Sequence, residues 1–430
     1  MKIGSWKIAL WQQILFALVV GAIVGSILGT EAKSFGYLGV VFLNLIKMVT
    51  IPMILFTIIY GMISVEGSSN LYRISYKAAI IFMTTSTLAV TVGLTIATLL
   101  KPGIGVSPNL LKQFQGSSQL PRVQDLSFVE TLINLIPSNV FAAIADGNIL
   151  QIIVFAFFFG IILQSKRNDC KQLVLIVHQI AITFFKIIQT IMKISPIGVF
   201  GYISAIVGVE GISVLVSLGK LVMTIMVGCL FHYLLLGILL FLISRLSPLP
   251  FYKKIIGPQL IAFATSSSKA TLVPLMEVCE AQLGVSRQKS RFILPLSAAL
   301  NMDGGAIYQA SCAIFFAQMM EVDFTVGQYI ALFLMCTLAS VGGAGIPGGV
   351  ILFLGMVLHS VGLPIEGVLL IATIDRLADM MTTVINVTGC GCVTIIIDKS
   401  EKTLNTKIYY SEKSVKVKKN DKYQKNIYYD

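Results

Sequence analysis

The chain has 430 residues, of which 56% are hydrophobic and 12% charged, with a mean hydropathy of +0.86. A soluble domain carries about 25% charged residues, so a water-soluble enzyme of this length is excluded, as are collagen-like, disordered and disulfide-scaffold chains. The formal net charge of +12 points either to nucleic acid or to an anionic membrane face.

Hydropathy favours the membrane and an all-α polytopic fold. A span needs roughly 20 apolar residues, and such runs lie at 9–29, 37–64, 75–100, 140–164, 172–200 and 212–244. Lys2 and Lys7 precede the first run as in a signal peptide, but no small-x-small cleavage site follows, so the run reads as a retained helix. The 101–128 segment opens with Lys101-Pro102-Gly103 and reads as a surface connection.

Beyond residue 244 the pattern changes. The apolar stretch 255–281 is interrupted by the polar run Ala264–Thr271, and 291–320 by Asn301-Met302-Asp303-Gly304-Gly305. Two apolar arms over 327–361 are split by the Gly-rich run Ser340–Gly349, and the last span, 365–397, carries Asp375, Arg376, Asp379 and Asn386. The arms of 255–281 and 327–361 are too short to cross alone, so both read as re-entrant hairpins, tolerated where protein buries them or water lines them. A hairpin followed by a span, twice, is an inverted repeat, and interrupted segments at matching places mark a transport site.

Lys2, Lys7, Arg73, Lys77, Lys166, Arg167, Lys171, Arg245, Lys253 and Lys254 fall on one side of this arrangement. That side is expected to be cytoplasmic, placing both termini there. Residues 1–254 then form six spans, 255–397 a transport core touched by spans three and six, and 398–430 a basic tail. The tail holds nine Lys against five acidic residues and reads as polar and disordered. This distribution accounts for the net charge without nucleic acid. Seven scattered Cys, with no CxxC pair, suggest neither disulfides nor a zinc site. His178, His232 and His359, each alone among apolar residues, read as packing or interface residues.

Ionisable groups within spans are functional candidates by default. Asp303 stands beside Asn301 and two glycines that permit an unwound turn. Freed backbone carbonyls and a carboxylate there suit a hard cation. On the last span, Asp379, Thr382, Thr383 and Asn386 form one polar stripe, with Asp379 able to meet an ammonium group. The Ser266-Ser267-Ser268 tip supplies hydroxyls. The Gly-rich tip lacks a Walker Lys-Ser/Thr end, which argues against a nucleotide loop. An intramembrane protease pair of Asp303 and Asp379 has no protease motif around it, so an enzyme is not expected. An anion channel would show substrate-independent current.

The ordered set Ala264-Thr265-Ser266-Ser267-Ser268, Asn301-Met302-Asp303-Gly304, the 340–349 tip and Asp379 through Asn386-Val387-Thr388-Gly389 resembles the dicarboxylate/amino acid:cation symporters. Lys47-Met48 and Ile136-Pro137-Ser138-Asn139 extend the resemblance along nearly the whole chain. It implies a plasma-membrane homotrimer with eight helices and two hairpins per subunit, an elevator-like core, and no cofactor beyond sodium as coupling ion. By the same resemblance, Ser268, Asp379, Thr382, Thr383 and Asn386 face the substrate. One sodium site falls to Thr85, Ser86, Asn301 and Asp303. A second falls to carbonyls of Ala299, Met302, Ser340, Val341 and Gly343, and a third to those of Ser297, Asn301 and Asn386. Gly345, Pro347 and Gly348 belong to the outer gate.

The departures bear on substrate and coupling. Carriers of acidic amino acids place Arg where this chain has Thr382, and a bidentate Arg–carboxylate contact is hard to replace. Thr382 with Asp379 therefore leads to the expectation of a small neutral amino acid such as serine, alanine or threonine. The alternative is a glutamate, aspartate or C4-dicarboxylate substrate, with Lys269 or Arg376 supplying the positive charge. Cys390 stands where many relatives have a sodium-binding Asp. Gly305 replaces a Thr, and Gln309 stands where proton-coupled mammalian glutamate carriers have Glu.

Overall fold

The computed structural model describes residues 2–3, 6–7, 10–63, 69–106, 136–146, 149–167, 169–342 and 349–411. Apart from a two-residue antiparallel pairing of Lys2–Ile3 with Trp6–Lys7, the described chain is helical. In order the helices are α1 (Leu10–Leu28), a 3-10 segment (Gly29–Phe35), α2 (Gly36–Ile63), α3 (Ser69–Leu100), α4 (Val140–Ala145), α5 (Ile149–Ser165), α6 (Lys171–Lys193), α7 (Ser195–Glu210) and α8 (Ser213–Ser244). There follow α9 (Pro248–Thr265), α10 (Ser268–Ala281), α11 (Arg287–Leu300), α12 (Asp303–Met319), α13 (Val326–Gly342), α14 (Gly349–Ser360), α15 (Gly367–Ala372), α16 (Asp375–Ser400) and α17 (Thr406–Tyr410).

Most of these helices are apolar on every side, as befits elements sunk in lipid or in other helices. Among the described residues, four helical stretches are long and apolar enough to cross a bilayer: Gln12–Phe42, Arg73–Leu100, Ser213–Ser244 and Asp375–Ser400. The last is buried within the protein over nearly its whole length. Its Asp and Thr side chains would be costly against lipid, and α3, α8, α9, α11 and α12 pack around it instead. On the other flank α7 packs along α1, and α2 sits against α5, α6 and α7.

The stretches expected as hairpins each form a pair of packed helices. α9 and α10 fold back on one another about Ser266-Ser267, the first hairpin starting at Pro248 rather than 255. α13 and α14 pair likewise, while 343–348, with Gly343, Gly345, Pro347 and Gly348, lies outside the described residues. Three differences have local causes. The 172–200 run is two helices, because the chain turns at Ile194 and Ser195-Pro196 opens α7, with proline in the first turn. The 365–397 run breaks at Thr373-Ile374, so α16 starts at Asp375. The 140–164 run is also divided, α4 ending before Asp146.

The expected disordered tail is docked at its start. Asn405 N–H donates to Gly284 O (2.9 Å), Lys254 Nζ donates to Ile408 O (3.1 Å) and Tyr409 O (2.7 Å), and Tyr409, fully buried, donates from its hydroxyl to Ser247 O (2.8 Å). A buried aromatic and a lysine clamping helix-end carbonyls explain why a polar stretch is held here. Residues 412–430 lie outside the described chain.

Candidate functional site

The site begins at the break in span seven. Asn301 (φ −117°, ψ 84°) and Met302 (φ −108°, ψ 56°) leave helical geometry between α11 and α12. Asn301 N–H still donates to Ser297 O (2.8 Å), and Ala306 N–H donates to Met302 O (3.0 Å). Asp303 therefore sits in the first turn of α12, where the helix dipole favours an anion. Gly304 N–H donates to Asn386 Oδ1 (2.8 Å), tying the break to α16.

Asp303 is wholly buried. Its Oδ1 lies 3.2 Å from Thr85 Oγ1 and 3.0 Å from Ser86 Oγ on α3. Its Oδ2 faces His232 Nε2 and Asn301 Nδ2, both at 3.4 Å. Thr85 Oγ1 is also 3.0 Å from Asn301 Oδ1 and 3.1 Å from Phe82 O, and Ser86 Oγ is 3.0 Å from Ser340 Oγ on α13. A threonine hydroxyl has one proton, yet three acceptor oxygens surround it. An oxygen cluster short of protons, carrying one negative charge, matches what a hard monovalent cation takes. Among the described residues no three His, Cys, Asp or Glu side chains gather as for a transition metal.

A second group of polar atoms lies between hairpin one and α16. Arg376, Asp379, Thr383 and Asn386 share a helical face. Asp379, Thr382, Thr383 and Asn386 are all buried. Thr382 and Thr383 donate to the Asp379 carbonyl at 3.1 and 2.7 Å, so Thr382 spends its proton on its own helix. At the hairpin tip, Ser266 adopts the left-handed conformation and Ser267 caps α10 by accepting from Ala270 N–H (3.2 Å). Ser266 Oγ and Ser268 Oγ are buried without a hydrogen-bond partner among the described residues. Arg376 reaches across, donating from Nη2 to Thr265 O (3.3 Å), while its buried Nε has no such partner. Buried polar atoms are nearly always satisfied. Three that are not, at one tip, suit a ligand bearing oxygen acceptors and donors.

The structure thus brings together Thr85, Ser86, Asn301, Asp303 and the Ser340 side chain. The other two expected sodium sets are assembled less completely. Ser297 O accepts from Asn301 N–H and Met302 O from Ala306 N–H. Ala299 lies on α11 and Val341 in the last turn of α13, while Gly343 is outside the described residues. Cys390, in place of an Asp, is buried beside Ser297. Lys269 is exposed, unlike the half-buried Arg376. Gln309 donates from Nε2 to Val350 O (3.3 Å). Two residues went unassigned from the sequence: His232, read as packing, and Tyr308, whose hydroxyl donates to Asp375 Oδ1 (2.9 Å). A lone His or Tyr in an apolar run carries no pattern that marks it.

Comparison with known proteins agrees with this architecture. The sequence model of the sodium:dicarboxylate symporter family matches residues 10–400. The chain belongs to that family. A proton/sodium-glutamate symport protein of Bacillus caldotenax is 35% identical over 409 residues, covering 93% of this chain and 96% of the relative. A proton/glutamate-aspartate symporter of Escherichia coli K12 is 34% identical over 418 residues, covering 93% and 95%. A C4-dicarboxylate transport protein of Bacillus subtilis is 32% identical over 394 residues, covering 90% and 93%. As a member of a symporter family, the chain is a multi-pass membrane transport protein. These relatives bear the names of acidic substrates, so they favour the alternative over the neutral amino acid expected from Thr382.

Proposed function

We propose that this family member is a cation-coupled symporter of an acidic substrate, glutamate, aspartate or a C4 dicarboxylate, with Arg376 providing the positive charge absent at Thr382. The observation that carries this reading is the Arg376 guanidinium, poised against the hairpin-one tip with a buried, unsatisfied Nε. An arginine fork holds a carboxylate through paired N–H donors. Asp379, one turn along the same face, would meet a substrate ammonium. A plain dicarboxylate would instead face like charge, so an acidic amino acid fits better. Lys269, being exposed, is the weaker candidate for the cation. Ser266 and Ser268 hydroxyls complete the contacts from the hairpin.

Sodium is read as the coupling ion, held by Asp303, Asn301, Thr85, Ser86 and Ser340. Coupling follows from adjacency. Gly304, next to Asp303, is bonded to Asn386 on the substrate-facing helix, so a cation that draws Asp303 into place also fixes α16. Each ligand then raises the affinity of the other by the same factor. Elevator-like movement, a hairpin-two gate, trimeric assembly and cytoplasmic termini belong to this reading as proposals, supported by family membership and the Lys/Arg distribution.

Uptake into proteoliposomes under defined sodium and proton gradients tests it, using labelled aspartate, glutamate, succinate and serine. Arg376→Ala should lower acidic uptake at least tenfold, and Asp379→Asn should lower aspartate uptake more than succinate uptake. One observation favours the neutral reading: Thr382 is buried and brings no charge. On that reading wild type takes up serine, and Arg376→Ala leaves serine uptake intact.

A further inference from the structure

His232 lies midway along α8, fully buried, and is the nitrogen-bearing ring that faces Asp303. Its Nε2 is 3.4 Å from Asp303 Oδ2, and its Nδ1 is buried without a hydrogen-bond partner among the described residues. An imidazole nitrogen facing a carboxylate oxygen is the N–H nitrogen of that ring, because the carboxylate only accepts. Asn301 Nδ2 approaches the same oxygen at 3.4 Å. Oδ2 is therefore held by two N–H donors. Oδ1 is left facing Thr85 and Ser86, the side where acceptor oxygens outnumber protons.

From this juxtaposition we infer that His232 is a positioning residue for the cation site: by holding Asp303 Oδ2 it presents Oδ1 alone to a bound sodium ion. The inference rests on the cation-site reading above and adds to it a residue from a further helix. Carboxylate ligands that are fixed by an outer partner keep their orientation when the metal leaves. Without the ring, Asn301 Nδ2 is the remaining N–H donor at Oδ2 among those named, so the carboxylate is held less firmly as the anionic corner of the cage of Thr85, Ser86, Asn301 and Ser340. Binding sodium then requires the carboxylate to be ordered first. Loss of such a partner typically weakens metal affinity roughly 10–100-fold.

The test follows sodium binding by the sodium-induced rise in Tm of the purified full-length protein, with no substrate present. His232→Phe keeps a ring and removes the donor. His232→Gln keeps an N–H at comparable reach. The sodium midpoint should rise roughly tenfold or more in His232→Phe and stay within about threefold of wild type in His232→Gln. Equal shifts in both variants, or none in either, overturn the proposal. If His232→Phe does not fold, His232→Asn, whose shorter amide falls away from Asp303, takes its place with the same expected rise. Asp303→Asn separates the two readings. A wild-type midpoint in Asp303→Asn overturns the cation site itself. Loss of the sodium response there, beside a wild-type midpoint in His232→Phe, overturns only the role of His232.

Discussion

Gly304 occupies a place where a side chain has no room. A Cβ there would stand 2.6 Å from the Thr382 Cα and closer still to its carbonyl oxygen, so α16 would have to move. At the neighbouring Gly305 an added Cβ meets a Val350 methyl at 3.3 Å, which a side chain can yield. Gly304→Ala should therefore cost about 1–3 kcal/mol and lower Tm in detergent, while Gly305→Ala costs much less. On the proposed function the same contact joins the cation and substrate sides, so Gly304→Ala should also raise the half-saturating concentrations of both. At this scale the sequence was legible where polar residues cluster: Asn301, Asp303, Asp379 and Asn386 stand out in apolar runs. His232 was not, because its meaning comes only from a carboxylate 71 positions away.

The helices show what periodicity can and cannot disclose. Gly, Pro and polar runs interrupt hydropathy, so both hairpins and the break in span seven were readable, with boundaries off by several residues at Pro248. The turn at Ile194, before Ser195-Pro196, and the break at Thr373-Ile374, before Asp375-Arg376, are too short to divide the apolar runs around them in a span-length hydropathy reading. The start of the tail is held in place by contacts that composition does not disclose. It is polar in composition, yet Tyr409 is buried and Glu401, just beyond α16, pairs with Arg73 and with Lys77 Nζ (2.6 Å). Hydrogen bonding from Lys77, ahead of that from Arg73, holds the Glu401 carboxyl below its ordinary value of 4.5. A folded-state pKa below the unfolded one contributes stability above the unfolded value and loses it as pH falls. Glu401→Gln should thus lower Tm slightly at pH 7 and make the decline in Tm toward pH 4 shallower. An unchanged acid limb would show that the pair contributes nothing, as many exposed pairs do.

Across the whole molecule, the proposed cation cluster joins α3, the α11–α12 break and α13, with α8 behind it and α16 closing over it. A ligand held by so many elements stabilises them together. Sodium at about a hundred times its dissociation constant should add roughly 2.7 kcal/mol, seen as one concerted rise in Tm, and potassium at the same ionic strength should not. Composition and hydropathy by themselves determined that this is a helical membrane protein with paired hairpins, and its motifs determined the family. These are properties of local order along the chain, where period and interruption are written directly. That Arg376 reaches the first hairpin tip, and that the His232 ring faces the Asp303 carboxylate, were decided only by the tertiary structure. Thr265 and Arg376 lie 111 positions apart, and His232 and Asp303 meet across two helices. Burial makes such distant contacts matter, because a polar group out of reach of water must find its partner within the protein.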